Sequence, residues 1–299
     1  MSERLVSVLI ASLLLVGGQA FSQSRHNAKA DDSGGAVINV VASRTDKKTD
    51  PIKLENLHLY ENGIEQKIKS FTYDPSPSKI VLLVDNSQTL PIDLEKMKKA
   101  IMEFAYEIFE GDQLYVIAYD EKPYILQDWT DDPKKIEKSI GAFQKKGNPY
   151  LFDAMNAAIK EVLLPLMPGS RKTAIVVVGD GLDRGSKTTF DKLLTQLQGD
   201  NVTVYSLRLP DRTGGAYRRD APKAGEVITQ LTEGTGGSVF ELDNAQDAAK
   251  TICDEMRRSR YLLSYSPLDT SSYDARRVFL IADEGIAIRT KQAQPPNVR

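Results

Sequence analysis

The sequence predicts an α/β fold: a Rossmann-like, doubly wound, mostly parallel sheet with helices on both faces, plus a small β domain built from the segments that flank it. Two observations predict it. From Lys79 onward, short continuous apolar runs alternate with stretches whose apolar residues recur every three or four positions, the pattern of buried parallel strands and the helices between them. Before and after that region the chain has the alternating, turn-punctuated character of antiparallel strands. The 299 residues, 41% hydrophobic and 27% charged, suffice for one large core and a smaller one.

The chain opens "MSERLVSVLIASLLLVGGQAFSQ", with Arg4 in a short charged start, an apolar stretch over Leu5–Val16 and small residues at Gly18 and Ala20. That is the pattern of an export signal, expected over residues 1–22, and it implies a periplasmic or extracellular protein. The apolar stretch is shorter than the ~20 residues that span a bilayer, so no stable membrane insertion is expected after cleavage. A polar leader follows over 23–35. An N-terminal β segment is expected over 36–78. It holds a strand in "AVINVVAS", a hairpin about Asn62-Gly63 in "LHLYENGIEQKIKSF", and a connector in "DPSPSK", whose two prolines do not suit a central strand.

The α/β region is expected over 79–258. Its strands are Ile80–Val84, Leu114–Tyr119, Ala174–Val178, Val202–Leu209 and Ser238–Leu242, with "KPYILQDW" as an antiparallel edge. Helical stripes run through Leu94, Met97, Ile101, Phe104 and Ile108, then Leu151, Met155, Ile159 and Val162, then Phe190, Leu193, Leu194 and Leu197, then Val227, Ile228 and Leu231. A C-terminal β segment is expected over 259–291, from "YLLSYSP" and "RRVFLIADEGIAIRT", with a turn at Asp283-Glu284-Gly285. The end, "KQAQPPNVR", is expected to fray.

Composition narrows the function. A net charge of −2 argues against an electrostatic nucleic-acid surface, with a local basic patch as the alternative. With only His26 and His58, a histidine-rich zinc site or a Ser-His-Asp triad is not expected. Cys253 is the one cysteine, so no internal disulfide forms. Its helical spacing from Ala249 and Met256 reads as a small buried hydrophobe.

Two loops hold the interesting oxygens. The apolar run Ile80–Val84 ends at Asp85, and hydroxyls follow at Ser87 and Thr89. In "VVVGDGLD", Asp180 and Asp183 follow a second strand. Parallel sheets place ligands beyond the carboxyl ends of their strands, at a topological switch point, and Asp85 and Asp180 both belong to that edge. Hard oxygen donors on converging loops suit Mg²⁺ or Mn²⁺.

"VLLVDNSQT" and "VVVGDGLD" resemble the first and last motifs of the von Willebrand factor type A (VWA) domain and its metal-ion-dependent adhesion site. The resemblance puts Asp85, Ser87 and Thr89 on an Asp-x-Ser-x-Ser pattern, with threonine in the last place. Asp180-Gly181 fall on a Thr-Asp-Gly pattern, with Gly179 where threonine is usual. A middle loop usually adds a threonine in Gly-Gly-Thr-x-Leu-x-x-Ala. In "GNPYLFDA", Gly147, Leu151 and Ala154 match, while Pro149 offers no side-chain oxygen, leaving Asn148 or a water to substitute. The flanks are similar to an exported bacterial VWFA-related (Acidobacterial-type) subgroup. The resemblance implies a non-enzymatic adhesion-type protein. Ser87 and Thr89 would bind the ion, Asp85 and Asp180 would orient its waters, and the ion would accept a carboxylate from a partner protein. Arg212, Arg218 and Arg219, in the loop 210–222, are candidates to receive an acidic partner, with a solvated surface loop as the plainer reading.

Two other readings stand beside this one. A strand ending in aspartate with a late Gly-Asp also resembles haloacid-dehalogenase-type phosphatases. These need a second aspartate two residues on as general acid, and Ser87 stands there. A metal-free interaction domain is the third, since a strand-end aspartate can simply accept backbone N–H groups in a turn.

Overall fold

A computed structural model describes residues 35–141, 143–167, 169–216, 222–269 and 273–296, so the expected export signal and nearly all of the leader lie outside it. In chain order the strands and helices are β1 Ala36–Arg44, β2 Leu57–Glu61, β3 Ile64–Gln66, β4 Ile68–Tyr73, β5 Lys79–Asp85, α1 Leu94–Glu107, β6 Gln113–Tyr119, β7 Pro123–Thr130, α2 Pro133–Ile140 and α3 Leu151–Ala157. There follow β8 Thr173–Gly179, α4 Phe190–Gly199, β9 Thr203–Arg208, α5 Ala224–Thr235, β10 Val239–Glu241, α6 Ala245–Arg258, β11 Arg260–Tyr265, β12 Arg276–Ala282, β13 Ile286–Thr290 and β14 Ala293–Gln294. No helix among the described residues is long and apolar enough to cross a membrane.

The central sheet has the order β10-β9-β8-β5-β6-β7. All its pairings are parallel except β6 with β7, the antiparallel edge. Its strands are apolar on both faces because both faces are covered. On one face Ile80, Leu82 and Val84 pack with residues of α1, α2 and α6; on the other, Val81 and Leu83 pack with α3, α4 and α5. Cys253 is buried in the first of these layers, as its spacing suggests. The chain leaves β5 towards β6 on one side and returns to β8 on the other. The ends of β5 and β8 therefore flank the switch point.

The flanking segments build two further four-stranded sheets, β13-β1-β11-β4 and β14-β12-β2-β3. Ile38, Val40, Leu59, Leu263, Tyr265 and Val278 come from both sheets and share one core, so early and late segments are joined in a sandwich. Inside it the Glu61 carboxylate accepts from Tyr265 Oη at 2.5 Å and from Arg276 Nε at 3.1 Å.

Three local features differ from expectation. Asn62 and Gly63 do turn β2 into β3, with φ of 49° and 83°, as a type I′ hairpin requires. The run after the turn, however, divides at Lys67: β3 pairs with β2, while β4 joins β11 in the other sheet. Helix α2 has no counterpart in the apolar-stripe reading, because eight residues offer only Ile136 and Ile140 as a buried face. Its start signal is nonetheless plain, with Asp132 accepting from Lys134 N and Pro133 in the first turn. The chain end does not fray through 296: β14 pairs with Arg276 and Arg277. Buried Lys291 donates to Gln198 O at 2.6 Å, and Gln292 N donates to Gly234 O at 3.0 Å.

Burial lowers the Lys291 pKa to about 7, with Asp200 acting in the opposite direction. An unfolded lysine titrates near 10.5, so between those values the folded chain binds fewer protons than the unfolded one, and stability rises with pH. From pH 7.5 to 8.5 the gain should be about 1 kcal/mol, or roughly 2–4 °C in melting temperature. Lys291→Met should flatten that slope in thermal melts across the same range.

Candidate functional site

At the carboxyl edge of the central sheet, the loop after β5 turns back on itself. Asp85 Oδ1 accepts from Ser87 N at 2.8 Å, and Leu90 N donates to Ser87 O at 3.2 Å. This Asx turn brings the hydroxyls of Ser87 and Thr89 round to the side of the Asp85 carboxylate. The loop is pinned to its neighbour by Gln88 N to Gly147 O at 3.1 Å and Lys146 N to Asn86 O at 2.9 Å. One residue beyond β8, Asp180 Oδ1 accepts from Leu182 N at 3.1 Å. The side chains of Asp85 and Asp180 are fully buried.

What stands between these oxygens is the guanidinium of Arg212. Its Nε donates to Asp180 Oδ2 at 2.7 Å and its Nη2 to Asp180 Oδ1 at 2.8 Å, a two-point fork. Nη2 also donates to Asp85 Oδ2. Nη1 donates to Ser87 Oγ at 2.6 Å and to Thr89 Oγ1 at 2.9 Å. A guanidinium has five N–H bonds, and all five are matched. The Arg212 side chain is only 4% exposed. The arginine comes from the loop after β9, the strand beside β8, and that loop is fixed by its own backbone. Arg212 N donates to Asp180 Oδ2 at 3.2 Å and Leu209 N to Gly179 O at 3.1 Å, while Asp211 accepts from Thr213 N and Oγ1 at 2.7 and 2.6 Å.

Residues 80–182 match the model of the von Willebrand factor type A domain. That region has the character of a VWA domain. Its site motifs, "DNSQT" and "GDGLD", begin and end within or next to that match. Solved structures with a similar course include an aerotolerance-related membrane protein from Bacteroides fragilis, at 19% identity over 60% of this chain and 99% of that one, TM-score 0.46. A von Willebrand factor type A protein from Catenulispora acidiphila is 12% identical over 80% and 73% of the two chains, TM-score 0.46. Proximal thread matrix protein 1 of the mussel byssus, described with a zinc-occupied adhesion motif, is 14% identical over 65% and 48%, TM-score 0.47. No curated protein matches the chain.

The four residues that the sequence assigns to the VWA site, Asp85, Ser87, Thr89 and Asp180, are thus brought together, but around an arginine. Their oxygens are of the type that a hard divalent ion takes. Each is already an acceptor of an Arg212 N–H, so ion and guanidinium exclude each other, and the cup with Arg212 seated does not fit a metal. Sequence reasoning placed Arg212 in this loop as a contact for a partner, not as a member of the site. Arg218 and Arg219 lie outside the described residues.

Burial raises the Asp85 pKa, against the opposing pull of Arg212 and of the Ser87 hydrogen bonds. Burial works against the charge on Arg212 too, and its bonds to Asp180 together with the two carboxylate charges more than offset it, so the guanidinium stays charged. The Tyr119 hydroxyl is pushed far above its usual range by complete burial and by the charges of Asp85 and Asp180. A Cβ on Gly179 would lie 3.2 Å from Asp85 Cβ and 3.3 Å from the Tyr119 hydroxyl, so a side chain there would crowd both.

The other candidates have structural employment. Asn148 Nδ2 donates to Glu121 Oε1 at 3.2 Å, and Pro149 O accepts from Arg184 N at 2.7 Å. Asp183 accepts from Phe152 N at 3.1 Å and Ser186 Oγ at 2.6 Å, tying the second loop to the start of α3. His58 pairs with Glu65 at 3.1 Å in the hairpin, on the flanking sheet.

Removing Arg212 would strand two buried carboxylates beside each other, a loss on the order of 3–5 kcal/mol. Gly181 is the other residue this arrangement cannot spare. Its φ is +84°, and a Cβ there would meet Ala224 O at 2.3 Å and Ile228 Cγ1 at 2.8 Å, at the start of α5. Gly181→Ala should therefore cost at least about 2 kcal/mol, measured as a lowered denaturation midpoint with an unchanged slope.

Proposed function

We propose that the chain is an exported, non-enzymatic interaction protein whose VWA domain docks an acidic surface of a partner protein on the loops around the Arg212 cup. The observation that carries this reading is the saturated hydrogen bonding of the cup. Every polar side chain assigned to it is engaged with the Arg212 guanidinium, so no nucleophile or general base is left poised beside a place for substrate. The phosphatase alternative further lacks its general acid, since Ser87 holds that position and its hydroxyl accepts from Arg212.

With the cup filled, a partner carboxylate has no metal to bind. The charges it can meet are on the surrounding loops. Exposed Lys146 and Lys187 belong to two loops tied into this edge, through Lys146 N to Asn86 O at 2.9 Å and Lys187 N to Asp153 Oδ2 at 2.9 Å. Exposed ion pairs contribute little to affinity one at a time, but they steer association and make it salt-dependent. Export is supported by the charged-apolar-small pattern of residues 1–22.

Two measurements test the reading. A partner captured from envelope extracts should remain bound in chelator, weaken with added salt, and be lost with a Lys146→Glu/Lys187→Glu double variant. Release by chelator, or indifference to the double variant, would refute it. The purified chain should not turn over a generic phosphate ester with Mg²⁺, and activity abolished by Asp85→Asn would restore the enzyme reading.

A further inference from the structure

We infer that Arg212 is the resident cation of this site: its guanidinium takes the place of a divalent metal ion, and the cup is complete without metal. The inference concerns what holds the cup together and stands whether or not a partner docks on its rim.

Saturation is the first argument. The guanidinium reaches both buried carboxylates and both hydroxyls, with no N–H left over and none of the four side chains omitted. A point charge such as lysine could not do this, because it lacks the planar fork that grips Asp180 at two oxygens. Placement is the second. The backbone positions Arg212 independently of its side chain, through its own N–H on Asp180 and the Asx turn of Asp211. Leu209 N on Gly179 O carries the loop across the end of β8.

The third argument is that the local sequence has given up the oxygens a metal would use. Pro149 offers no side-chain oxygen, and a side chain at Gly179 would begin 3.2 Å from Asp85 Cβ and 3.3 Å from the Tyr119 hydroxyl. A metal left with two hydroxyls and two carboxylates would also have to break five hydrogen bonds to enter.

The cup without its arginine should take a divalent cation, because two adjacent carboxylates and two hydroxyls then face each other with no positive charge. The experiment is a set of thermal melts of the full chain in millimolar Mg²⁺, in Mn²⁺ and in chelator. The unaltered chain should melt at the same temperature in all three. Ser87→Ala should lower that temperature slightly and equally in all three. Arg212→Ala should melt several degrees lower in chelator and recover part of the loss in Mn²⁺ or Mg²⁺, and an Arg212→Ala/Ser87→Ala chain should lose that recovery. A saturable rise in the unaltered chain that Ser87→Ala removes would overturn the inference. So would an Arg212→Ala chain as stable as the unaltered one in chelator. The unaltered and Ser87→Ala arms decide the matter even where Arg212→Ala fails to fold.

Discussion

Two carboxylates buried side by side at the ends of neighbouring strands cannot both stay ionised without a positive charge between them, and the edge of this sheet is organised around that requirement. Strand order brings Asp85 and Asp180 together, because β5 and β8 lie next to each other at the switch point. Burial then makes the charge expensive, which is why the Asp85 pKa rises even with a guanidinium against it. Water cannot screen the pair, so the cation must be held within hydrogen-bond reach. Arg212 meets that condition from the next strand over, and in doing so it fixes the path of the loop after β9.

The departures from the VWA motif form a consistent set on this view. Each would weaken a metal site: proline at the middle-loop threonine and glycine before Asp180. None weakens a site whose cation is a planar fork already matched at every N–H. The space released at Gly179 is used, with Tyr119 packed against it and its hydroxyl beside the carboxylates. A divalent ion gathers oxygens in a near-octahedral shell that waters can complete. An arginine offers a planar fork, and it accepts only as many oxygens as it has hydrogens.

How much of this was legible in the sequence follows from the range of each interaction. Continuous apolar runs and three-to-four spacing report on local burial, so β5, β6, β8, β9 and the longer helices could be read directly. Helix α2 was missed because two apolar residues make no stripe, although its capping aspartate and proline were visible. The division of the hairpin arm at Lys67 between two sheets depends on β11, almost two hundred residues later, and leaves no local trace. The docked end was missed for a similar reason, since "KQAQPPNVR" is polar and Lys291 and Gln292 are held by Gln198 and Gly234, far away in the chain. For the site, spacing revealed the four oxygen donors but not their cation. Arg212 lies 123 to 127 residues from the first loop, in a glycine-rich stretch with no periodicity, and one arginine there looks like any solvated one.

A built-in cation also changes what can control the surface above it. Where a metal bridges two proteins, occupancy follows the concentration of free ion, and the partner's carboxylate completes the coordination shell. Here the charge is covalently part of the chain, always present and turned inward, with only 4% of the Arg212 side chain exposed. What remains for recognition is the shape of loops held rigid from below and the charge of side chains that stand on them. Docking of the proposed kind would be screened over about 8 Å at physiological salt, and would respond to ionic strength and to the partner's surface charge rather than to divalent ions. On the reading proposed above, oxygens that would hold a metal are held by an internal brace instead, and recognition falls to the loops at the rim.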